Sequence, residues 1–284
     1  MERATFNVED YLALADHVII PSGNGTGQGM KNCPPTGELR VGVDLGTAYL
    51  VLVVLDETDF PVAGEYRFAQ VVRDGLVVDF IGATDMLRDM KMSVEKRLGR
   101  KLTHAASGYP PGVPQIEVRA TAHVIEAAGI SCTGLIDEPS AANNLLHIQN
   151  GAIVDVGGGT TGIAIIKDGQ VIYTADEPTG GTHFSLVIAG ALNISFEDAE
   201  ELKKKPGEQS RLFPVVRPVM EKVGNIISRH VAGQPVDNLI LVGGCSSFPG
   251  MATVVQEYTG LPTRIPNRPL FVTPLGIAMH DSFS

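Results

Sequence analysis

An α/β protein built from two similar halves is what this sequence predicts, and three observations predict it. A meander of three apolar strands followed by a helix occurs twice, over residues 39–98 and again over 151–192. Strand-like and helix-like segments go on alternating after each meander, which is the pattern of layered α/β folds. The length of 284 residues also suits about two domains of ordinary size. The chain divides into an amphipathic helix (1–20), a linker (21–37), a first half (38–150) and a second half (151–284).

Each element follows from local pattern. Tyr11, Leu12, Leu14, Ala15, Val18 and Ile19 recur at three-four spacing behind Glu9 and Asp10, which gives a short helix that stops at Pro21. Residues 22–37, SGNGTGQGMKNCPPTG, offer almost nothing to bury and read as a flexible linker. Their glycines imitate a P-loop, but no Gly-Lys-Ser/Thr closes the run and no strand leads into it. Residues 39–44, 48–55 and 61–72 read as strands, separated by a Gly-Thr turn and the polar break DETD at 56–59. Helix 84–98, strand 104–108, helix 114–128, strand 133–137 and helix 139–148 complete the first half. Strands 151–156, 162–167 and 171–175 repeat the meander, with turns at 157–159 and 167–169. Helices 182–192, 197–204 and 213–231, strand 238–242, and helices 249–258 and 273–280 follow.

Composition removes several function classes. Lys plus Arg number 22 against 32 Asp plus Glu, a net charge of −10, so nucleic acid is not the expected partner. Cys33, Cys132 and Cys245 form no CxxC, which sets aside zinc knuckles and a disulfide framework and fits a reducing compartment. No stretch reaches the ~20 apolar residues of a membrane span. Glu2, Glu9, Asp10 and Asp16 are incompatible with a signal peptide at residues 1–20. A cytoplasmic location is expected.

Two similar halves imply a cleft between them, a preferred place for small ligands. The first meander contains VGVDLGT (41–47) and the second IVDVGGGTT (153–161). Both set an aspartate, Asp44 or Asp155, at the end of a buried strand with glycines in the next turn. Glycine lets backbone N–H groups come close to an anion such as phosphate, which points to Gly46 and Thr47, and to Gly157, Gly158, Gly159, Thr160 and Thr161. The aspartates would repel phosphate directly, so their fitting role is to hold a hydrated Mg²⁺ that bridges phosphate oxygens. A single Asp-Gly turn is as readily plain hairpin punctuation; its recurrence in a duplicated position favours the phosphate reading. LILVGGCSS (239–247) brings Gly243, Gly244 and Ser246 to a strand-to-helix turn on which a nucleoside can lie. In IDEPSAA (136–142), proline sets a helix start. There Glu138 either orients a water for attack on a phosphate or simply complements the helix dipole.

These segments, in this order, together with PLGIA (274–278), resemble the actin-like ATPase superfamily over residues 39–279. Within it the chain is similar to the nucleotide-binding domain of DnaK-type chaperones, and more closely to EutJ-type ethanolamine-utilisation proteins. LRVGVDLGTA (39–48), RDGLVVDFIG (73–82) and LTHAASGYPPG (102–112) carry that closer likeness. The resemblance implies two duplicated actin-like, ribonuclease H-like α/β domains around a nucleotide cleft, with reduced inserted subdomains. It implies ATP and Mg²⁺ as cofactors, Asp44 and Asp155 as metal organisers, and Glu138 and Asp155 as catalytic residues. Gly46, Thr47, Gly157, Gly158, Gly159, Thr160 and Thr161 fall on the phosphates, Gly243, Gly244 and Ser246 on the nucleoside. Gly180 and Gly181 match the family too, and Glu200, Glu201 and Lys204 resemble ribose or base contacts, although an acidic helix ending in lysines is also an ordinary solvated helix.

The departures are as informative. The stretch before helix 84–98 is too short for the inserted subdomain that carries the catalytic lysine of DnaK-type proteins, so turnover is expected to be slow or absent. Ser247 stands where DnaK-type proteins have an adenine-stacking arginine, and no peptide-binding domain follows. The resemblance implies an accessory role in ethanolamine utilisation, chaperone-like, on a pathway enzyme or on microcompartment assembly, with oligomerisation open. The alternative is a nucleotide-gated assembly adaptor similar to actin-like pilus-assembly proteins. The N-terminal helix either resembles a microcompartment targeting tag or packs back on the body.

Overall fold

The computed structural model describes residues 7–23, 35–73 and 76–282. The chain forms two compact units, Met1–His147 with Phe271–Ser284, and Ile148–Leu270. The first unit contains α1 (Val8–Val18), β1 (Ile19–Pro21), β2 (Arg40–Leu45), β3 (Tyr49–Leu55), β4 (Pro61–Phe68), β5 (Val72–Arg73), β6 (Leu76–Val77), α2 (Phe80–Leu98), β7 (His104–Tyr109), α3 (Gln115–Ala127), β8 (Ser131–Asp137) and α4 (Glu138–Leu146). Its main sheet runs β1-β4-β3-β2-β7-β8. β2, β3 and β4 form the antiparallel meander, while β7 and β8 join in parallel. Parallel pairing requires a crossover between strands, and α2 and α3 provide it.

Alternation along the strands decides which layer covers each face. Val41, Val43, Leu50, Leu52 and Val54 join Ala83, Leu87, Met90 and Val94 of α2 and Val124 and Ile125 of α3 in one core. α2 starts four residues earlier than the periodicity alone suggests, because the Asp79 side chain accepts from the Gly82 amide at 2.8 Å and caps it.

In the second unit, β9 (Gly151–Val156), β10 (Thr161–Lys167), β11 (Gln170–Glu177), α5 (Gly181–Leu192), α6 (Phe196–Lys204), α7 (Pro206–Val231), β12 (Leu239–Val242), a 3₁₀ turn (Gly244–Ser247), α8 (Met251–Thr259) and β13 (Thr263–Arg264) follow in order. The sheet order β11-β10-β9-β12-β13 repeats β4-β3-β2-β7-β8 strand for strand. Ala152, Val154, Val156, Ile163 and Ile165 face a core shared with α5, α7 and α8.

Two expectations are corrected and one open alternative is resolved. The last helix, α9 (Val272–His280), belongs to the first unit, although a linear division places it in the second. It lies against β2 and α4, backbone to backbone. A Cβ on Gly42 would come within 2.6 Å of the Ala278 amide nitrogen, and one on Gly276 would overlap the Ala141 carbonyl oxygen. The Asp281 side chain, fully buried just past this helix, holds it in place by accepting from the Val41 amide at 2.8 Å, from Thr133 Oγ1, and by pairing with His104 Nδ1 at 2.8 Å.

The N-terminal helix is the packed one of its two readings. α1 buries Tyr11, Leu12, Ala15 and Val18 in the first unit, and β1 continues it as a parallel edge strand on β4. Tyr11 Oη donates to the Asp59 carbonyl at 2.6 Å, and Arg97 of α2 donates to the Gly64 carbonyl at 2.6 Å and to the Val18 carbonyl at 3.4 Å. The linker expectation falls largely on residues 24–34, outside the described residues. Thirdly, α7 starts at Pro206, well before residue 213, and runs through Pro214 and Pro218. Proline normally interrupts a helix; here Leu212, Val216, Val219, Met220 and Val223 bury one continuous face that outweighs it.

Substituting Gly276 by Val is expected to destabilise the protein by about 3 kcal/mol through overpacking against Ala141. Gly190→Ala, in open space on α5, should instead gain up to about 1 kcal/mol. Urea-denaturation midpoints of the two variants test the contrast.

Candidate functional site

The phosphate-type turn of the second unit connects β9 to β10. The Gly157 amide donates to the Thr160 carbonyl at 3.0 Å and closes the turn. The Gly157 and Gly158 carbonyls accept from the Gly181 and Thr182 amides at 2.9 and 2.7 Å, the first amides of α5. In a trans peptide the C=O and the following N–H point in opposite directions. Binding those carbonyls to α5 therefore aims the Gly158 and Gly159 N–H groups away from it, which is the arrangement that receives an anion. The approach is possible because position 180 has no side chain: a Cβ there would lie 2.7 Å from the Gly157 carbonyl oxygen.

Asp155 lies in β9 on the sheet face opposite Val154 and Val156 and their core. The Gly243 backbone presses against its carboxylate, at φ +84°, so that a Cβ at 243 would overlap Asp155 Oδ1. The structure thus brings Asp155, the 157–160 turn, the Gly180-Gly181 pair and the Gly243 turn into one neighbourhood. Two of the expected side chains are engaged within the unit. Thr161 is buried with its hydroxyl donating to the Thr179 carbonyl at 2.6 Å, and Ser246 is buried with its hydroxyl donating to the Val242 carbonyl at 2.6 Å. Thr160 stays partly exposed at the turn.

A residue that the sequence reading passed over completes this neighbourhood. The Lys203 ammonium donates to the Gly181 carbonyl at 3.0 Å, to Ser185 Oγ at 2.9 Å and to Glu200 Oε2 at 2.6 Å. Glu200 is buried, and Ser185 Oγ also donates to it at 2.5 Å. Burial alone would raise the Glu200 carboxyl, but the Lys203 charge and these hydrogen bonds hold it below its usual value. Lys204 and Glu201, expected as contacts, pair with each other at 3.1 Å instead, and Glu201 is exposed. One helical turn separates 200 from 203 on the side facing α5, and that i, i+3 spacing was the available signal. Cys245 lies beside Lys203; burial pushes its thiol up to about 12, so it is not a ready nucleophile.

The first unit repeats the turn. Gly46, two residues after Asp44, donates its amide to the Tyr49 carbonyl at 3.0 Å, the same three-residue closure as Gly157 to Thr160. Thr47 is partly exposed in that turn. Asp44 shares the α9 side of the sheet with Gly42. Glu138, in the first turn of α4, reaches the same side: a Cβ on Gly108 would lie 3.5 Å from its Cγ. Asp137 accepts from the Ser140 amide at 3.0 Å and caps α4, which sets where Glu138 leaves the backbone. Among the described residues no group of three or more His, Cys, Asp or Glu side chains forms a metal cage, and no helix is long and apolar enough to cross a membrane.

Known proteins share this family and fold. The family profile of cell division protein FtsA matches residues 152–276, and that of MreB/Mbl protein matches residues 62–211. Ethanolamine utilization protein EutJ of Escherichia coli K12 is 44% identical over 241 residues, covering 84% of this chain and 85% of that protein. The crystal structure of EutJ from Carboxydothermus hydrogenoformans superposes with a TM-score of 0.87 at 42% identity, covering 96% of this chain and 97% of that one. MreB 5 of Spiroplasma citri, solved bound to AMPPNP, shares the fold at a TM-score of 0.70 and 18% identity, covering 86% and 96% of the two chains.

Replacing Lys203 with Met should cost about 3 kcal/mol at pH 7, because it leaves Glu200 buried without its main partner. The folded Glu200 value is depressed, so its contribution is present above the unfolded carboxylate range and is lost as pH falls through the lowered folded value. The difference between wild type and Lys203→Met should therefore shrink below about pH 4.5, which denaturant titrations at several pH values will read.

Proposed function

Since the chain belongs to the family of ethanolamine utilization protein EutJ, within the actin-like ATPase superfamily, we propose that it binds ATP with Mg²⁺ and serves as a chaperone-like accessory protein of ethanolamine utilisation. The observation that carries the nucleotide part is the pinned turn of the second unit, whose Gly157 and Gly158 carbonyls are held by α5 so that the next two N–H groups are aimed outward. These N–H groups take phosphate oxygens. Gly46, Thr47 and Thr160 add donors, and Gly243 and Gly244 give the nucleoside a surface without side chains.

The residues present fit a hydrated divalent ion. Asp155 is held against bare backbone at Gly243, and Asp44 occupies the matching position of the first unit. Mg²⁺ keeps most of its waters and needs only one or two carboxylates. When bound, it would neutralise charge on the phosphates. Glu138, projecting from the capped start of α4, orients a water toward the terminal phosphate. Between β4 and α2 lie only residues 69–79, a connection without the segment that brings a catalytic lysine in DnaK-type proteins, which supports slow turnover. Action on a pathway enzyme or on microcompartment assembly, in the cytoplasm, rests on the family. Under the adaptor alternative the nucleotide is held without being turned over.

Thermal unfolding with ATP, ADP and GTP, each with Mg²⁺ and with EDTA, tests the reading. At a hundredfold excess over Kd, the favoured nucleotide with Mg²⁺ should add about 2.7 kcal/mol of stability. Asp44→Ala and Asp155→Ala should lose the Mg²⁺-dependent part. No Mg²⁺-dependent stabilisation by any nucleotide overturns the assignment. Phosphate release that disappears in Glu138→Gln supports turnover, whereas tight binding without release supports the adaptor.

A further inference from the structure

We propose that the C-terminal end of α2 is a docking site for a short acidic segment of a partner protein, one that carries an apolar side chain among its carboxylates. The surface lies away from the phosphate turns. α2 packs on the sheet face that carries Val41 and Val43, whereas Asp44 alternates to the other face. The end of α2 also lies where β7 begins, and Asp44 lies where the parallel strand β2 finishes.

A hollow of about 280 Å³ opens at this end of the helix, lined by Met92, Glu95, Lys96, Gly99, Arg100 and Lys101. Three cations therefore meet one acid, in a chain whose net charge is −10. The acid is already satisfied. Glu95 is buried and accepts from the Lys101 ammonium at 2.7 Å and from the Leu102 amide at 2.9 Å, with Lys91 at 3.8 Å. Arg100 uses only Nη1, which donates to the Pro35 and Gly37 carbonyls at 2.7 and 2.6 Å, and its Nε and Nη2 donors have no partner among the described residues. Lys96 is exposed and pairs with no carboxylate among them. Met92 is 55% exposed, a flexible apolar side chain of the kind that adapts to a partner.

The chemistry selects the occupant. Cations in a last turn suit the helix dipole whether or not anything binds, but the dipole calls for neither the hollow nor an exposed methionine. A bare anion finds the cations favourable and the helix-end carbonyls unfavourable. A peptide suits both: its carboxylates take the ammonium and guanidinium groups, and its backbone N–H groups suit carbonyls that lack partners inside the helix. Polyanions and anionic bilayers spread negative charge well beyond one helix end, against a chain that is acidic overall. Residues 24–34 of this chain, NGTGQGMKNCP, contain no Asp or Glu and so lack the complementary charge. A partner segment with carboxylates on both sides of an apolar residue has it, and places that residue against Met92.

The full chain, labelled at its methionine methyl groups, is titrated with the capped peptide EDLED and followed by NMR, with the Met92 signal assigned through Met92→Leu. EDLED should shift that signal saturably. Lys96→Glu should weaken the binding about fivefold, and raising the salt from about 0.1 to about 1 M should weaken it as well. EDSED should bind less tightly than EDLED, and KKLKK should not bind. If the urea midpoint shows that Lys96→Glu folds poorly, Lys96→Gln takes its place. No saturable shift up to about 10 mM peptide overturns the site, as does binding that the Lys96 variant leaves unchanged. Inorganic phosphate that binds as tightly as EDLED, or retention on phosphatidylglycerol vesicles that the Lys96 variant abolishes, overturns it too, because either result assigns these cations to another ligand.

Discussion

Two backbone hydrogen bonds, from the Gly181 and Thr182 amides to the Gly157 and Gly158 carbonyls, are the interaction on which the second unit's site depends. The first amides of a helix have no partner inside it, and here the glycine turn supplies partners for two of them. The same bonds fix the peptide planes of the turn. Lys203 then grips the Gly181 carbonyl from the α6 side, so β9, β10, α5 and α6 meet at a few backbone atoms. A side chain at 180 would separate the turn from the helix, and one at 243 would displace Asp155.

The fold was readable wherever periodicity was strong. Both meanders, most crossover helices and the turns after Asp44 and Asp155 stand out because buried strands and amphipathic helices leave different apolar spacings. The repeat proves deeper than the pattern that revealed it, since Gly46 and Gly157 close their turns with the same bond at the same length. What stayed hidden depended on partners distant in sequence. Three residues of β1 cannot announce a strand without β4 beside them. The opening turns of α7, residues 206–212, carry a single buried residue, Leu212, and so gave no apolar period to read. Lys203 stood among three consecutive lysines, and only the direction of α6 distinguishes it from its neighbours.

The two units reach similar sheets with different supports. In the first, α9 covers the face carrying Gly42 and is secured by the Asp281 carboxylate, which gathers β2, β7 and β8 through Val41, His104 and Thr133. A buried carboxylate is costly unless its hydrogen bonds are satisfied, and three partners on three strands satisfy this one. α1 and β1 extend the opposite edge, where Arg97 ties them to β4. In the second unit the long helix α7 lays one face, from Leu212 to Val231, along the core.

The placement of α9 also has a consequence for biosynthesis. The second unit is one continuous stretch, Ile148–Leu270, whereas the first is completed only by residues that follow it. As the chain leaves the ribosome, the earlier strands of the first unit emerge long before the helix that covers Gly42 and before the aspartate that buries itself between β2, β7 and β8. Domains tend to fold as they are made, N-terminal parts first. Here the part made first is obliged to wait for a helix made only after the whole second unit, and in that interval the side of its sheet that carries Gly42 lacks that cover.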